Sequence, residues 1–315
     1  MPRSWRPVAV ALLAMLPGCA RGQGSGVVSP VRTDTALLHR ALDSVAAAHH
    51  GVVGYVVHNL DTGERLSLRG DETFPTASLI KVGILVTVFD LVGKRQLSLD
   101  DPLTVLKIDQ VPGSGVLQYL HPGATITVHD AAWLMSTISD NTATNLLLDR
   151  IIIRRVWEKM EGLGLRHTKV HSKSFLRISS VAMDSSQKYG LGVTTPNEMA
   201  RLFELMAEGK AVSPAADSMM LDVLEHNDKD DMLQRYVLGL PGVRAAHKDG
   251  ETDDVRAECS LWRVPARVVG CVLTKGNADT RWVIDNEAQL TLARLGELMV
   301  KAWYRPPMKQ AAAPE

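Results

Sequence analysis

The stretch Leu134-Met135-Ser136-Thr137-Ile138-Ser139-Asp140-Asn141-Thr142-Ala143-Thr144-Asn145-Leu146-Leu147-Leu148 holds one polar tripeptide, Ser139-Asp140-Asn141, between two more apolar runs. Alone, the tripeptide reads as a helix N-cap cluster, because Ser, Asp and Asn side chains all accept from the free N–H groups of a first helical turn. Its weight changes with what stands 61 positions upstream, Ser78-Leu79-Ile80-Lys81. Residues three apart share a helix face, so a lysine amine placed this way can reach the serine hydroxyl and act as its base. The S-x-x-K pattern is weak by itself, with about one chance match expected in a chain of this length. A second copy indeed stands at Ser185-Ser186-Gln187-Lys188. Context favours the first: Phe74-Pro75-Thr76-Ala77 precedes it, and the apolar run from Val82 to Phe89 anchors it as a buried helix. The second lies in a polar, loop-like stretch.

Working outward, Leu38, Ala41, Leu42 and Val45 repeat at helical spacing, and Gly51 stops that helix. Val52 to Val57 reads as a buried strand, Asp61-Thr62-Gly63-Glu64 as a turn, and Arg65 to Leu68 as a second strand. From Ser78 to about Asn227 the pattern is almost entirely helical. One start is especially legible: Thr195-Pro196-Asn197-Glu198 offers a cap threonine, proline at the first helical position and a glutamate three residues after the cap. Gly209 and Lys210 close that helix. The strand signal returns at Val255, where Val255, Ala257, Cys259 and Leu261 alternate as one face, and Val269, Cys271 and Leu273 as another. A three-residue loop at Val264-Pro265-Ala266 sets Cys259 across from Cys271. Two readings stand for this pair, a disulfide or two buried free thiols, the second being the more ordinary. Leu292, Leu295 and Met299 mark a final helix.

Sheet-forming material therefore sits at both chain ends around a helical block. The expected fold is α/β: an antiparallel sheet flanked by terminal helices, with an all-α domain inserted. The expected boundaries are 25–77 and 240–305 for the sheet domain, 78–239 for the helical domain, and 306–315 for a tail. A cleft between the two is the natural place for a site.

Ser78-x-x-Lys81 and Ser139-Asp140-Asn141, followed by Thr142-Ala143-Thr144-Asn145-Leu146-Leu147-Leu148, resemble the class A β-lactamases and related penicillin-binding proteins, whose signature set is S-x-x-K, S-D-N and K-T-G. The third element is Lys248-Asp249-Gly250, ahead of the Val255 strand; its lysine and glycine match and its middle residue does not. The resemblance implies a nucleophile at Ser78 that is acylated, and a base at Lys81, acting directly or through water. It implies a proton donor to the leaving nitrogen at Ser139, kept poised by Lys248. Asn141 would hydrogen-bond the substrate amide, and the backbone N–H groups of Ser78 and Glu251 would form the oxyanion hole. Arg256, eight positions after Lys248, is either a carboxylate clamp or a surface strand arginine. The implied partner is a β-lactam or a peptidoglycan-like small molecule, with no cofactor or metal and a monomeric protein.

Two departures bear on function. The family's water-activating glutamate has no counterpart: matching its segment to Thr168-Lys169-Val170-His171-Ser172-Lys173-Ser174 puts Ser174 in that place. Asp140, Asp149, Glu158, Glu161 and Asp184 are the only acids between Ser139 and Thr194, and His171 and Asp184 are the nearest substitutes. The second departure is Asp249, whose charge would oppose the carboxylate of penicillins and peptide C-termini, which points to a substrate that is uncharged there or even cationic.

The rest is exclusion and address. The 315 residues carry 35 Lys+Arg against 35 Asp+Glu, so no charge excess points to nucleic acid or an anionic membrane. Arg3 and Arg6 followed by the short apolar run Val8 to Leu16 read as a leader over residues 1–24, for an exported, periplasmic or extracytoplasmic protein. Leu16-Pro17-Gly18-Cys19 resembles a lipobox, which would anchor the chain through Cys19; cleavage after Ala20 is the rival reading. No later stretch is apolar enough to span a bilayer.

Overall fold

The computed structural model describes residues 32–306. The leader, Cys19 and the end of the tail lie outside the described residues.

Helix α1 (Thr35–Ala47) begins at Asp34, whose carboxylate accepts from the Leu37 N–H, and it buries Leu38, Leu42 and Ala46. Strands β1 (Val52–Asn59) and β2 (Arg65–Leu68) form the expected hairpin. Its turn is closed by the Asn59 side chain, which accepts from the N–H groups of Asp61 and Thr62. Then come β3 (Phe74–Pro75), α2 (Lys81–Gly93), and the small β4 (Pro102–Thr104) and β5 (Thr125–Thr127) pair. Helices α3 (Val128–Thr137), α4 (Asn141–Ile151) and α5 (Ile153–Gly162) follow. Beyond them lie β6 (Lys169–Val170), α6 (Met183–Tyr189), β7 (Gly192–Thr194), α7 (Pro196–Ala207) and α8 (Pro214–Leu224). The chain returns to the sheet through β8 (Arg244–Glu251), β9 (Arg256–Arg263) and β10 (Arg267–Lys275), and ends on α9 (Glu287–Trp303).

The main sheet is antiparallel with order β2-β1-β10-β9-β8, so both chain ends contribute to it and β8 is an edge. Each face of the sheet covers a core, as the two-residue alternation of a strand requires. Tyr55, Val57, Trp262, Val268 and Val272 pack with Leu292, Leu295 and Met299 of α9 and with Leu38 and Leu42 of α1. Val56, Ala257, Cys259, Leu261, Val269, Cys271 and Leu273 face the helical layer, joining the α2 residues Ile84, Leu85 and Val88.

The structure corrects three expectations. Strand structure resumes at Arg244, eleven residues before Val255. The run Arg-Ala-Ala-His-Lys-Asp-Gly-Glu hides a strand because its buried side chains include polar and charged ones: His247 pairs with Glu258 at 2.7 Å and Lys248 with Asp249 at 2.5 Å. The block from 78 to 239 is almost entirely helical, as expected, apart from short strands: β4 pairs with β5, and β6 and β7 join β3 in a small sheet. Their two or three residues each are too few to show periodicity. The Ser185-x-x-Lys188 copy is helical, within α6, rather than a loop. Cys259 and Cys271 are directly opposed in the β9–β10 register and joined as a disulfide rather than left as free thiols. Helix α7 is capped by Thr195, which accepts from the Glu198 N–H. The Glu198 carboxylate does not close a box on that cap; it takes the His167 N–H and the Thr168 hydroxyl instead.

Candidate active site

Ser78 lies on a tight 3₁₀ turn, Ala77–Ile80, that runs into α2. Ala77 holds the left-handed backbone conformation at φ +44°, which a residue with a side chain adopts only when its surroundings over-determine it. The surroundings are β7 and β8. The Thr76 N–H donates to the Gly192 carbonyl at 3.0 Å, and β8 passes so close that a Cβ on Gly250 would stand 2.2 Å from the Thr76 oxygen and 2.9 Å from the Ser78 nitrogen. Only glycine admits that approach. The chain between Lys248 and Glu251 therefore runs directly against the Ser78 turn.

Lys81 is the first residue of α2 and is 1% exposed. Its ammonium hydrogens are taken by the Ser139 carbonyl at 2.7 Å, the Ser139 Oγ at 3.0 Å and the Asn141 Oδ1 at 2.9 Å. None of these acceptors is a carboxylate. Burial, and then the positive charge of Lys248, push the Lys81 amine well below the usual lysine range; Asp249 and Asp140 pull weakly the other way. No hydrogen bond joins Lys81 to the Ser78 hydroxyl among the described residues; the amine instead meets the Ser139 hydroxyl.

The tripeptide both caps a helix and meets Lys81. Asp140 caps α4, accepting from the Ala143 N–H, and also takes the N–H groups of Val116 (2.7 Å) and Leu117 (2.9 Å) from the loop that walls the cleft. Ser139 is held at φ +57°, which turns its hydroxyl toward Lys81. Asn141 uses Oδ1 on Lys81 and Nδ2 on the Pro112 carbonyl at 3.2 Å.

Ser78, Ser139, Asn141, Asp249 and Glu251 line one cleft of about 610 Å³. Lys248 lies just behind it, fully buried, with its Nζ on Asp249. Burial alone would raise the Asp249 carboxyl, but the charge and hydrogen bond of Lys248, with Lys229 and Asn227 behind them, hold it well below the usual carboxylate range. Arg256 is not at the cleft surface. It is 1% exposed and donates to the carbonyls of Thr252, Val255 and Arg281, with its plane 4.9 Å from the Trp282 ring. That placement fits neither a surface arginine nor a free carboxylate clamp.

On the opposite side Ser174 also lines the cleft. Its backbone is clamped by Asn145, which accepts from the Ser174 N–H at 2.7 Å and donates to its carbonyl at 3.1 Å. The Ser174 hydroxyl is buried without a hydrogen-bond partner. None of Asp140, Asp149, Glu158, Glu161 and Asp184 lines the cleft. Asp149 is tied to Lys173 and Glu161 to Lys169 at the surface. His171 is buried off the cleft, with Nδ1 on the Gly190 carbonyl and its pKa lowered by burial. Sequence reasoning missed the wall made by Asn227, Asp228 and Lys229, a polar run after α8 that looks like any solvated turn. It also passed over Phe175 and Trp282, two exposed aromatics at the cleft. Among the described residues no group of acids, histidines or cysteines is arranged to hold a metal ion, and no helix is long and apolar enough to cross a membrane.

A two-layer fold of this order has known counterparts. The family described as the beta-lactamase enzyme family matches residues 37–303. The chain belongs to that family. Within it, the chain is similar to Beta-lactamase L2 of Stenotrophomonas maltophilia, 29% identical over 265 residues that span 81% of this chain and 83% of that enzyme. It is also similar to Beta-lactamase AER-1 of Aeromonas hydrophila, 27% identical, though that match spans 59% of this chain and only 60% of the relative. Among solved structures, a point mutant of PBP-A in an acyl-enzyme complex with penicillin-G superposes with a TM-score of 0.74. It is 26% identical, and the match covers 87% of this chain and 98% of that one. This beta-lactamase-family chain thus has a beta-lactamase/transpeptidase-like fold, with the antiparallel sheet and helical layer expected from its sequence.

Proposed function

We propose that this protein is a serine acyl-transfer enzyme that opens the β-lactam ring at Ser78 and holds the resulting ester, releasing it slowly. One observation carries the reading: a buried amine, Lys81, with no carboxylate partner, sits 3.0 Å from the Ser139 hydroxyl beside the Ser78 turn. Burial favours the neutral amine, which is the form able to take a proton. Ser78 Oγ attacks the lactam carbonyl, and its proton passes to Lys81 directly or through a water. The developing oxyanion accepts from the Ser78 and Glu251 N–H groups, a pairing supported by the close approach of Gly250 to the Ser78 turn. The C–N bond then breaks, and the ring nitrogen takes the Ser139 hydroxyl proton, which Lys81 replaces. Lys248 contributes a fixed charge behind this wall, and Asn141 orients the acyl amide.

Release needs a base that presses water onto the ester. Ser174 occupies the wall where such a base would stand, and a neutral hydroxyl is too weak to serve. Every acid lining the cleft (Asp228, Asp249, Glu251) belongs to the wall formed by β8 and residues 227–229. The acyl-enzyme should therefore accumulate. The relative captured as a penicillin-G acyl-enzyme supports this chemistry without deciding its rate here. Export fits the leader read from residues 1–24, with or without a lipid anchor at Cys19.

Intact mass followed over time after adding penicillin tests the proposal. A one-to-one adduct on the peptide containing Ser78, persisting after free drug is removed, is the expected result. Many fast turnovers with no adduct would overturn slow release. No adduct, and none from any other acylating agent, would overturn the nucleophile. Ser174→Glu should quicken loss of the adduct if the Asn145 clamp holds the new carboxylate toward the ester.

A further inference from the structure

The charges along the cleft are unequal. Three carboxylates line it, Asp228, Asp249 and Glu251, against one ammonium, Lys229. That ammonium is bound to Glu251. Lys248 lies behind the wall with Asp249 at 2.5 Å, and Asn227 donates a further hydrogen bond to the same Asp249 oxygen at 3.2 Å. Arg256 spends its Nη atoms on backbone carbonyls, and its Nε stands 3.5 Å from Glu251. Arg281, below it, is paired with Asp279. Asp228 is exposed and makes no ion pair among the described residues. Each cation that a carboxylate could seek on this wall is thus already matched by an acid or by carbonyls, and an acid faces the space.

We infer that the cleft selects acyl donors whose leaving portion carries no carboxylate, and that Asp249 and Glu251 set this preference by occupying Lys248 and Lys229. A carboxylate entering would meet like charge at short range, with no unpaired cation on this wall to repay its lost hydration. An uncharged amide or ester in the same place meets the paired groups as hydrogen-bond partners only. Penicillins, which carry a carboxylate, are then slow acylating agents beside neutral esters. The inference rests on Ser78 acylation and names the substrate class for that site.

Two thioesters of phenylacetylglycine test it, one with mercaptoacetate as the leaving thiol and one with mercaptoacetamide. They differ only in carboxylate against carboxamide. In each, a bond forms between Ser78 Oγ and the carbonyl carbon, the C–S bond breaks, and the serine proton reaches the departing thiolate by way of Lys81. Acylation of Ser78, read by mass and by thiol release, should be about tenfold or more faster for the carboxamide. Asp249→Asn and Glu251→Gln, each freeing one lysine, should narrow that ratio, and so should added salt. Equal rates, or a faster carboxylate, in the wild-type protein would overturn the inference, as would a ratio unmoved by both substitutions. If neither thioester labels Ser78, the serine reading itself fails, which is a separate outcome. Because the readout is a ratio within one protein, a variant with a weakened fold still reports on it.

Discussion

Two lysines lie beneath the cleft, both almost wholly buried, and they are opposites. Lys81 is surrounded by a carbonyl, a hydroxyl and an amide oxygen, all neutral. Lys248 has a carboxylate at 2.5 Å. An ammonium buried among neutral acceptors loses hydration without a compensating charge, so its proton is loosely held. An ammonium buried against a carboxylate is a settled ion pair. The first contact set leaves the buried amine without a charge partner, and the second supplies one. The two S-x-x-K copies differ in setting as well: Lys81 is buried, whereas Lys188 is exposed on α6, over the Tyr189 ring at 4.9 Å.

The largest effect that would break this comparison comes from the nucleophile and its base. Ser78→Ala should abolish adduct formation, and Lys81→Ala should slow it by about 10³-fold. Lys81→Arg should be no better, because a guanidinium does not give up its proton near neutral pH. Ser185→Ala and Lys188→Ala should leave acylation unchanged; a loss there would reassign the site. Mass-resolved acylation rates check all five.

Next in size is Gly250→Ala. The added methyl meets the Thr76 carbonyl at 2.2 Å, so either β8 or the Ser78 turn must move. Overpacking of this kind costs about 1–3 kcal/mol, visible as a lower midpoint in denaturant. The acylation rate should fall by more than the folded fraction does, because the Glu251 N–H moves with the strand. A pure stability loss with normal acylation would show that the close approach serves packing only.

The smallest and sharpest effect is on pH. The rate of acylation should rise as Lys81 loses its proton, on a limb lying below the ordinary lysine range, and should fall on the acid side. Asp249 is among the charges that raise the Lys81 value. Asp249→Asn should therefore move that limb to lower pH, by roughly one unit or less given the competing effect of burial. A limb that moves up, or does not move, would mean that the Asp249 charge does not help hold the Lys81 proton.

Much of this was legible along the chain. Helix α7 announces itself through Thr195 and Pro196, and α1 and the β1–β2 hairpin through their apolar spacing. The opposition of Cys259 and Cys271 follows from counting outward from a three-residue loop, since hairpin register is set by loop length. The two motifs at Ser78 and Ser139 were identifiable by residue type and spacing. Strand β8 was not, because its His, Lys and Asp read as a polar loop until Glu258 and the neighbouring pairing are known.

The sequence by itself determined which residues are chemically able to take part, and the order of sheet, helices and sheet in which they come. It also settled that position 174 is a serine and position 249 an aspartate. Only the tertiary structure decided what state those residues are in. Lys81 finds neutral acceptors and Lys248 an acid; Arg256 turns away to backbone carbonyls; Asn227, Asp228 and Lys229 become a wall of the cleft. The reason is physical. Charge state, desolvation and hydrogen-bond pairing depend on neighbours within a few ångströms, and here those neighbours range from the adjacent residue, as for Lys248 and Asp249, to one 60 positions away, as for Lys81 and Asn141.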